Sequence, residues 1–248
     1  MIRALYTSAD GMLTQSKRMD VVTNNITNMD TAGYKSEELL SRSFEDLLIN
    51  RINDPATGSL STVGQINNGA HIDQVNIRFE QGPLEETKNN TDIALEGDGF
   101  FAIQAPAGER YTRAGNFSVN NNGFLVTSEG NYVLGQNGPI NVGNTNFTVD
   151  KNGTVNSQNG TYQLRIVSFA DNGALYKEGS GLYSNNGGSA IIPSSCQVKQ
   201  GFLEKSNVDV AKETVNMIQI SRNYETNQRI IQMLDNSLGK AVNDIAKV

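Results

Sequence analysis

Toward its C-terminal end the chain places an apolar residue at every seventh position: Val210, Met217, Tyr224, Ile231, Leu238 and Ile245. Ile220, Leu234, Ala241 and Val248 each follow a member of that column by three residues, while Glu213 and Asn227 interrupt this second column. Such spacing marks a helix with one apolar seam and predicts coiled-coil-like pairing. No proline occurs after Pro193, so nothing breaks the helix, which spans about 58 Å if continuous. Asp209 stands at its start, where a carboxylate caps or complements the helix dipole. A buried Asn227 would set register at a cost in stability.

Residues 2–29 carry a weaker version of the same design. Leu5, Met12, Met19 and Ile26 form one column, Ile2, Ala9, Ser16 and Thr23 a second, and Met1, Val22 and Met29 an adjacent one. Gly11 weakens this helix by roughly 1 kcal/mol. The helix runs into "TNNITNMDTAGYK" (23–35), where Asn24, Asn25 and Asn28 offer amides that can hydrogen-bond between packed helices. Gly33 suits the left-handed conformation that ends a helix, and Thr31, Tyr34 and Lys35 lead out of it. Each terminal helix has one apolar stripe and must bury it. Two helices alone make a thin core, so the pattern predicts that they pair with each other and that neighbouring copies cover the rest.

Between these ends the period changes to two. Short alternating runs such as "VNIRF", "FFAIQ" and "YQLRIVSF" are separated by Asn-Gly pairs at 122–123, 137–138, 152–153, 159–160, 172–173 and 186–187. Asn-Gly supplies the positive φ angles of tight hairpins. The predicted class is therefore α+β: long N- and C-terminal helices pairing as a coiled-coil-like helical domain, with an inserted antiparallel all-β domain. The boundaries are 1–32 plus 208–248 for the helical domain, 33–70 plus 191–207 for an extended connector, and 71–190 for the β-rich outer domain.

Composition excludes several functions. A net charge of −6 argues against a phosphate-binding surface, and nucleic acid is not an expected partner. One cysteine, Cys196, and one histidine, His71, leave no multi-cysteine or histidine-rich metal site and no choice of base for a nucleophile. "GDGFF" (97–101) lacks the third glycine and the following helix of a dinucleotide fingerprint. "DKNGT" (150–154) opens like a calcium loop, but Val155 stands at the glycine position and Thr161 at the closing glutamate. Glu85, Glu86, Asp92, Glu96 and Asp98 form a loose acidic group that glycoside chemistry could use, yet acids between strands are ordinarily solvated. The reading is of a non-enzyme with no catalytic, cofactor-binding or metal residues, no cofactor and no small-molecule substrate. No apolar run reaches the length of a secretion-signal core or the roughly 20 residues of a membrane span.

Three stretches carry a family resemblance. "MDVVTNNITNMDTAGYK" (19–35), "GDGFFAI" with "YTRAGNFSV" and "GFLVTSEGNYVLG", and "QGFLEKSNVDVAKETVNMIQISRNYETNQRIIQ" (200–232) resemble, in the same order, the motifs of the bacterial flagellar basal-body rod and hook proteins. "RSFEDLL" (42–48) is most similar to the distal-rod type, with the proximal-rod type the alternative. The resemblance implies a structural subunit that self-assembles head-to-tail in a helical lattice. The assembly it implies is a hollow drive shaft that transmits torque and surrounds the export channel. Its implied partners are copies of itself, other rod proteins, the hook protein and the flagellar type III export apparatus. Its implied location is the basal body, outside the cytoplasmic membrane, reached without a cleaved signal peptide. Asn24, Asn25, Asn28, Thr31, Gly33, Tyr34 and Lys35 then read as an assembly motif. Leu5, Met12, Met19, Ile26, Val210, Met217, Ile220, Tyr224, Asn227, Ile231, Leu234 and Leu238 read as the helix seam. A rival of another class is a surface carbohydrate-acting or adhesive β module with the helices as its stalk.

Overall fold

The computed structural model describes residues 2–51, 61–67, 69–186, 188–193 and 196–245. Met1, Val248, Gly187 and the connector residues 52–60, all part of the sequence reading, lie outside the described residues. The described residues hold two α-helices, α1 (Ile2–Thr27) and α2 (Val210–Ile245), a 3-10 turn at Asn172–Ala174, and twenty-one strands between Glu37 and Glu204.

The expected α+β class, a coiled-coil-like helical domain carrying an inserted β domain, is overturned: the chain is mostly β. A heptad reports an apolar stripe on a helix and not what covers that stripe. Strands also enter both stretches read as extended connector. Leu47–Arg51 pairs antiparallel with Ser61–Ile66, Leu47 opposite Ile66 and Arg51 opposite Ser61. Glu37–Ser43 pairs with Ala70–Ile77. Gln197–Gln200 pairs with Ile93–Glu96, and Phe202–Glu204 with Leu84–Glu86. "LLI" at 47–49 is a continuous apolar run without the alternation that marks a half-buried strand, and all three residues are exposed.

The chain divides into two compact units. The described residues of Met1–Ile26, Glu37–Asn76 and Val210–Val248 form unit 1, and those of Thr27–Ser36 and Ile77–Asp209 form unit 2. Unit 1 contains nearly all of α1, the strand Glu37–Ser43 with all but the last residue of its partner Ala70–Ile77, the hairpin Leu47–Arg51 with Ser61–Ile66, and the described residues of α2. Gly11 of α1 faces Asn227 of α2 so closely that an added Cβ would lie 2.9 Å from the Asn227 Nδ2. Glu213 in the first turn of α2 favours its positive dipole end.

Unit 2 is organised by the strand Phe100–Ala105. It pairs antiparallel with Gly108–Thr112 along one edge, while Tyr132–Gly135 and Ile166–Phe169 share the other. Successive side chains point to opposite faces, and here both faces are buried. Phe101 and Ile103 join one apolar cluster with Ile93, Leu125 and Val133. Phe100 and Ala102 join a second with Tyr111, Phe169 and Tyr183. Phe100, Phe169, Tyr183 and Phe79 meet edge-on or tilted, at centroid distances of 5.4 to 5.9 Å, the geometry favoured by the ring quadrupoles.

Candidate functional site

The asparagine-rich stretch divides at the boundary between the two units. On the unit 1 side, Asn25 is fully enclosed, at 1% exposure. Its Nδ2 donates to the Glu37 carbonyl at 2.8 Å, and its Oδ1 accepts from the Glu37 N–H at 2.9 Å. One amide thus satisfies both backbone groups of a residue twelve positions later. Asn24 is exposed and Asn28 half-buried. Asn28 accepts from the Thr31 hydroxyl at 3.3 Å, and its carbonyl accepts from the Thr31 N–H at 3.2 Å, so 28–31 form a turn after the helix.

On the unit 2 side, the residues after that turn are buried. Gly33 has φ of +68° and its N–H donates to the Glu204 carbonyl at 2.7 Å. A Cβ there would stand 2.4 Å from the Ala114 N, so backbone conformation and close packing both require glycine. Tyr34 is buried with the Lys177 Nζ 4.2 Å from its ring centroid, within cation–π range.

Lys35 is the centre of the arrangement. Its side chain is 0% exposed, and its Nζ lies 2.6 Å from Glu204 Oε1 and donates to the Glu80 carbonyl at 2.7 Å. Glu204 Oε1 also accepts from the Gly82 N–H at 3.0 Å, while Oε2 accepts from Arg113 Nη1 at 3.3 Å. Arg113 Nη2 donates to the Gly97 carbonyl at 2.7 Å, and its guanidinium sits 5.5 Å from the centroid of Phe100. Burial pushes the Lys35 pKa below its ordinary value, while the Glu204 charge and hydrogen bond oppose that shift. The positive charge of Arg113 lowers it further, and Asp98 raises it. Beside this cluster, Asn207 Oδ1 accepts from the Ser36 N–H at 2.8 Å, and its Nδ2 donates to the carbonyls of Arg78 at 2.8 Å and Glu80 at 3.1 Å.

Chemically this is a clamp. Both carboxylate oxygens and the carbonyl of Glu204 are engaged, and the three charged side chains are at most 2% exposed. The acidic group considered from sequence is dispersed into ordinary pairs: Glu85 with Lys205 at 2.7 Å, Glu96 with Lys199 at 2.9 Å, and Asp92 accepting from Thr87 at 2.7 Å. Among the described residues no cluster of His, Cys, Asp and Glu could hold a metal ion. No described helix is long and apolar enough to cross a membrane.

The seam residues differ in burial. Leu5, Met12, Met19 and Ile26 on α1 are half-buried, as are Met217, Asn227, Ile231, Leu234 and Leu238 on α2. Ile220 is buried, whereas Val210 and Tyr224 are exposed. The residues α1 buries most deeply are Thr14, Val22 and Asn25, and the Ala9, Ser16 and Thr23 column is exposed. The sequence reading missed Glu204, Arg113 and Asn207. Glu204 and Arg113 stand inside the stretches quoted above, "QGFLEKS" and "YTRAG", but no spacing rule shows that they meet Lys35.

Three family profiles match successive parts of the chain. Residues 5–35 match "Flagella basal body rod protein", 94–162 match "Flagellar hook protein FlgE/F/G D1 domain", and 199–244 match "Flagellar basal body rod FlgEFG protein C-terminal". Similar proteins include flagellar basal-body rod protein FlgG of Borreliella burgdorferi, 38% identical over 98% of each chain. Flagellar hook-basal body complex protein FlhO of Bacillus subtilis is 34% identical over the full length of both. Flagellar basal-body rod protein FlgF of Caulobacter vibrioides is 36% identical over 96% of this chain and 94% of its own. The chain belongs to the flagellar basal-body rod protein family.

Proposed function

We propose that this chain is a structural subunit of the bacterial flagellar rod, of the distal type. Copies associate head-to-tail in a helical lattice and form a hollow shaft that transmits torque and surrounds the export channel. The subunit reaches the cell envelope through the flagellar type III apparatus and meets other rod proteins and the hook protein. The single observation that carries this reading is the apolar surface that unit 1 leaves open: Leu13, Val215, Ile218, Met233 and Val242 on its two helices are each 49–63% exposed. Helices carrying such side chains call for apolar partners, and neighbouring copies supply them. The full-length likeness to proteins named FlgG supports the distal type.

The test is a chain lacking residues 1–30. Cells carrying it as their sole copy are expected to build no complete rod, while the purified chain keeps the circular dichroism of its β body. Normal basal bodies from such cells would refute the reading. The alternative, a proximal position, draws its support from the 36% identity to FlgF. Electron cryo-microscopy of basal bodies from the native host separates the two: this chain traced in the proximal rod overturns the distal assignment.

A further inference from the structure

Each segment by which unit 2 connects to unit 1 ends at the same buried cluster. The chain changes unit at 26–27, 36–37, 76–77 and 209–210. Within unit 2, the first connecting segment contributes Gly33, Lys35 and Ser36. The second contributes the carbonyls of Arg78 and Glu80 and the N–H of Gly82. The third contributes Glu204 and Asn207. Arg113, from the body of the unit, closes the group through Glu204 Oε2. Lys35 and Glu204 are 169 residues apart in sequence, and Arg113 is 91 from Glu204.

From this convergence we infer that Lys35, Glu204 and Arg113 form a conditional lock: the segment after α1 orders only when the segment before α2 has docked, and the reverse. The physical reason lies in the sign of the charges. Without Glu204, Lys35 and Arg113 are two cations brought together in a site closed to water. Their desolvation is then uncompensated, and Lys35 stays in solvent with its segment. Without Lys35, Glu204 loses its shortest contact and the Gly82 and Gly33 bonds that depend on its position. A buried ion pair adds little over a well-packed apolar pair, but half of one is strongly unfavourable. The cluster therefore acts as an all-or-none coupling between the two ends of the chain, more than as a source of stability. Gly33 reinforces it, since its N–H bonds the carbonyl of the residue whose carboxylate holds Lys35. A chain that has not yet presented residues 202–207 cannot fix residues 33–36. The inference stands on the geometry of unit 2 and does not need the rod assignment.

The experiment is hydrogen–deuterium exchange on the full-length chain. It compares peptides covering 31–36, 78–82 and 200–207 with core peptides covering 100–104 and 164–169. Glu204→Gln preserves shape and removes the charge. It is expected to speed exchange in all three connecting peptides together by about a hundredfold, leaving the core peptides unchanged. The triple variant Lys35→Met, Arg113→Met, Glu204→Leu removes every charge and is expected to recover most of that protection. The lock is refuted if Glu204→Gln exchanges like the natural chain. It is refuted too if only the 200–207 peptide responds, or if core peptides lose protection equally. A triple variant as open as the single one would likewise show that packing, and not paired charge, holds the site.

Discussion

Unit 2 buries aromatic and aliphatic side chains on both faces of its central strand, whereas the buried apolar side chains described in unit 1 are Val22, Leu39 and Ile220. The same chain thus contains one region specified by its own packing and another that holds its apolar residues at the surface. Since the hydrophobic gain follows the apolar area removed from water, unit 2 is complete in the single chain and unit 1 is not. If copies associate as proposed, the rod supplies what unit 1 lacks: its stability would be completed between copies, with its helices as the contact surface.

Alanine substitutions at matched positions sharpen this contrast. Phe101 is fully buried and meets Phe117 edge-on at 5.1 Å. Phe101→Ala is expected to cost about 3–5 kcal/mol of stability, read as a lower urea midpoint by near-ultraviolet circular dichroism. Ile220→Ala, at the best-buried apolar position of α2, is expected to cost the isolated chain less than about 2 kcal/mol, below the usual core range. It is expected to impair motility when it is the only copy in the cell. Equal losses in the isolated chain would break the contrast, because unit 1 would then have a core of its own.

The difference between the units also explains what was legible in the sequence. In "FFAIQ" the strand period alone sends Phe100 and Phe101 to opposite faces, and the unbroken apolar run from Phe100 to Ile103 fits a strand buried on both. The α2 heptad likewise marks the face on which Met217, Ile220, Ile231 and Leu234 are covered to some degree. It misled at the level of class, since two long helices with clear stripes drew weight away from the short strands that dominate the chain. The hairpin at 47–66 stayed hidden because "LLI" does not alternate and its exposed side chains follow no burial pattern. The lock stayed hidden for another reason: Lys35, Arg113 and Glu204 meet across separations no periodicity spans. Lys35 was identified only as part of a motif, and its role follows from contacts that only the fold creates.

A smaller effect distinguishes unit 2 by pH. The Tyr111 hydroxyl donates to Glu109 Oε1 at 3.1 Å. Burial, then the Glu109 charge and hydrogen bond, push the tyrosine pKa up from 10.0 to about 12. Between those values the folded chain keeps a proton that the unfolded chain releases, so stability falls as pH rises through this window. At about 1.4 kcal/mol per pKa unit, the loss approaches roughly 3 kcal/mol. Tyr111→Phe is expected to be about 1 kcal/mol less stable at neutral pH and to show a flatter decline above pH 10. Urea midpoints measured across that range check it, and parallel declines in the two chains would rule out the buried hydroxyl as the source.

The smallest expected effect tests how firmly the helices of unit 1 are packed. In a close-packed core, an added methyl near another group typically costs 1–3 kcal/mol. Gly11 lies in mid-helix, and its Cβ would meet the amide end of Asn227 at 2.9 Å, with the nearest contacts all on that flexible side chain. Alanine in place of glycine raises helix propensity by about 1 kcal/mol, while the Asn227 amide must shift by a few tenths of an ångström. If unit 1 is as loosely held as the exposed apolar side chains of its helices indicate, the shift costs about as much as the low end of the core range and the two terms nearly cancel. Gly11→Ala should then change the thermal midpoint of the isolated chain by no more than about a degree, corresponding to under about 0.5 kcal/mol. A drop of several degrees would show that Gly11 and Asn227 are rigidly interlocked. In that case the helices would already be tightly packed in the single chain, and the incompleteness of unit 1 would have to be sought in its hairpin alone.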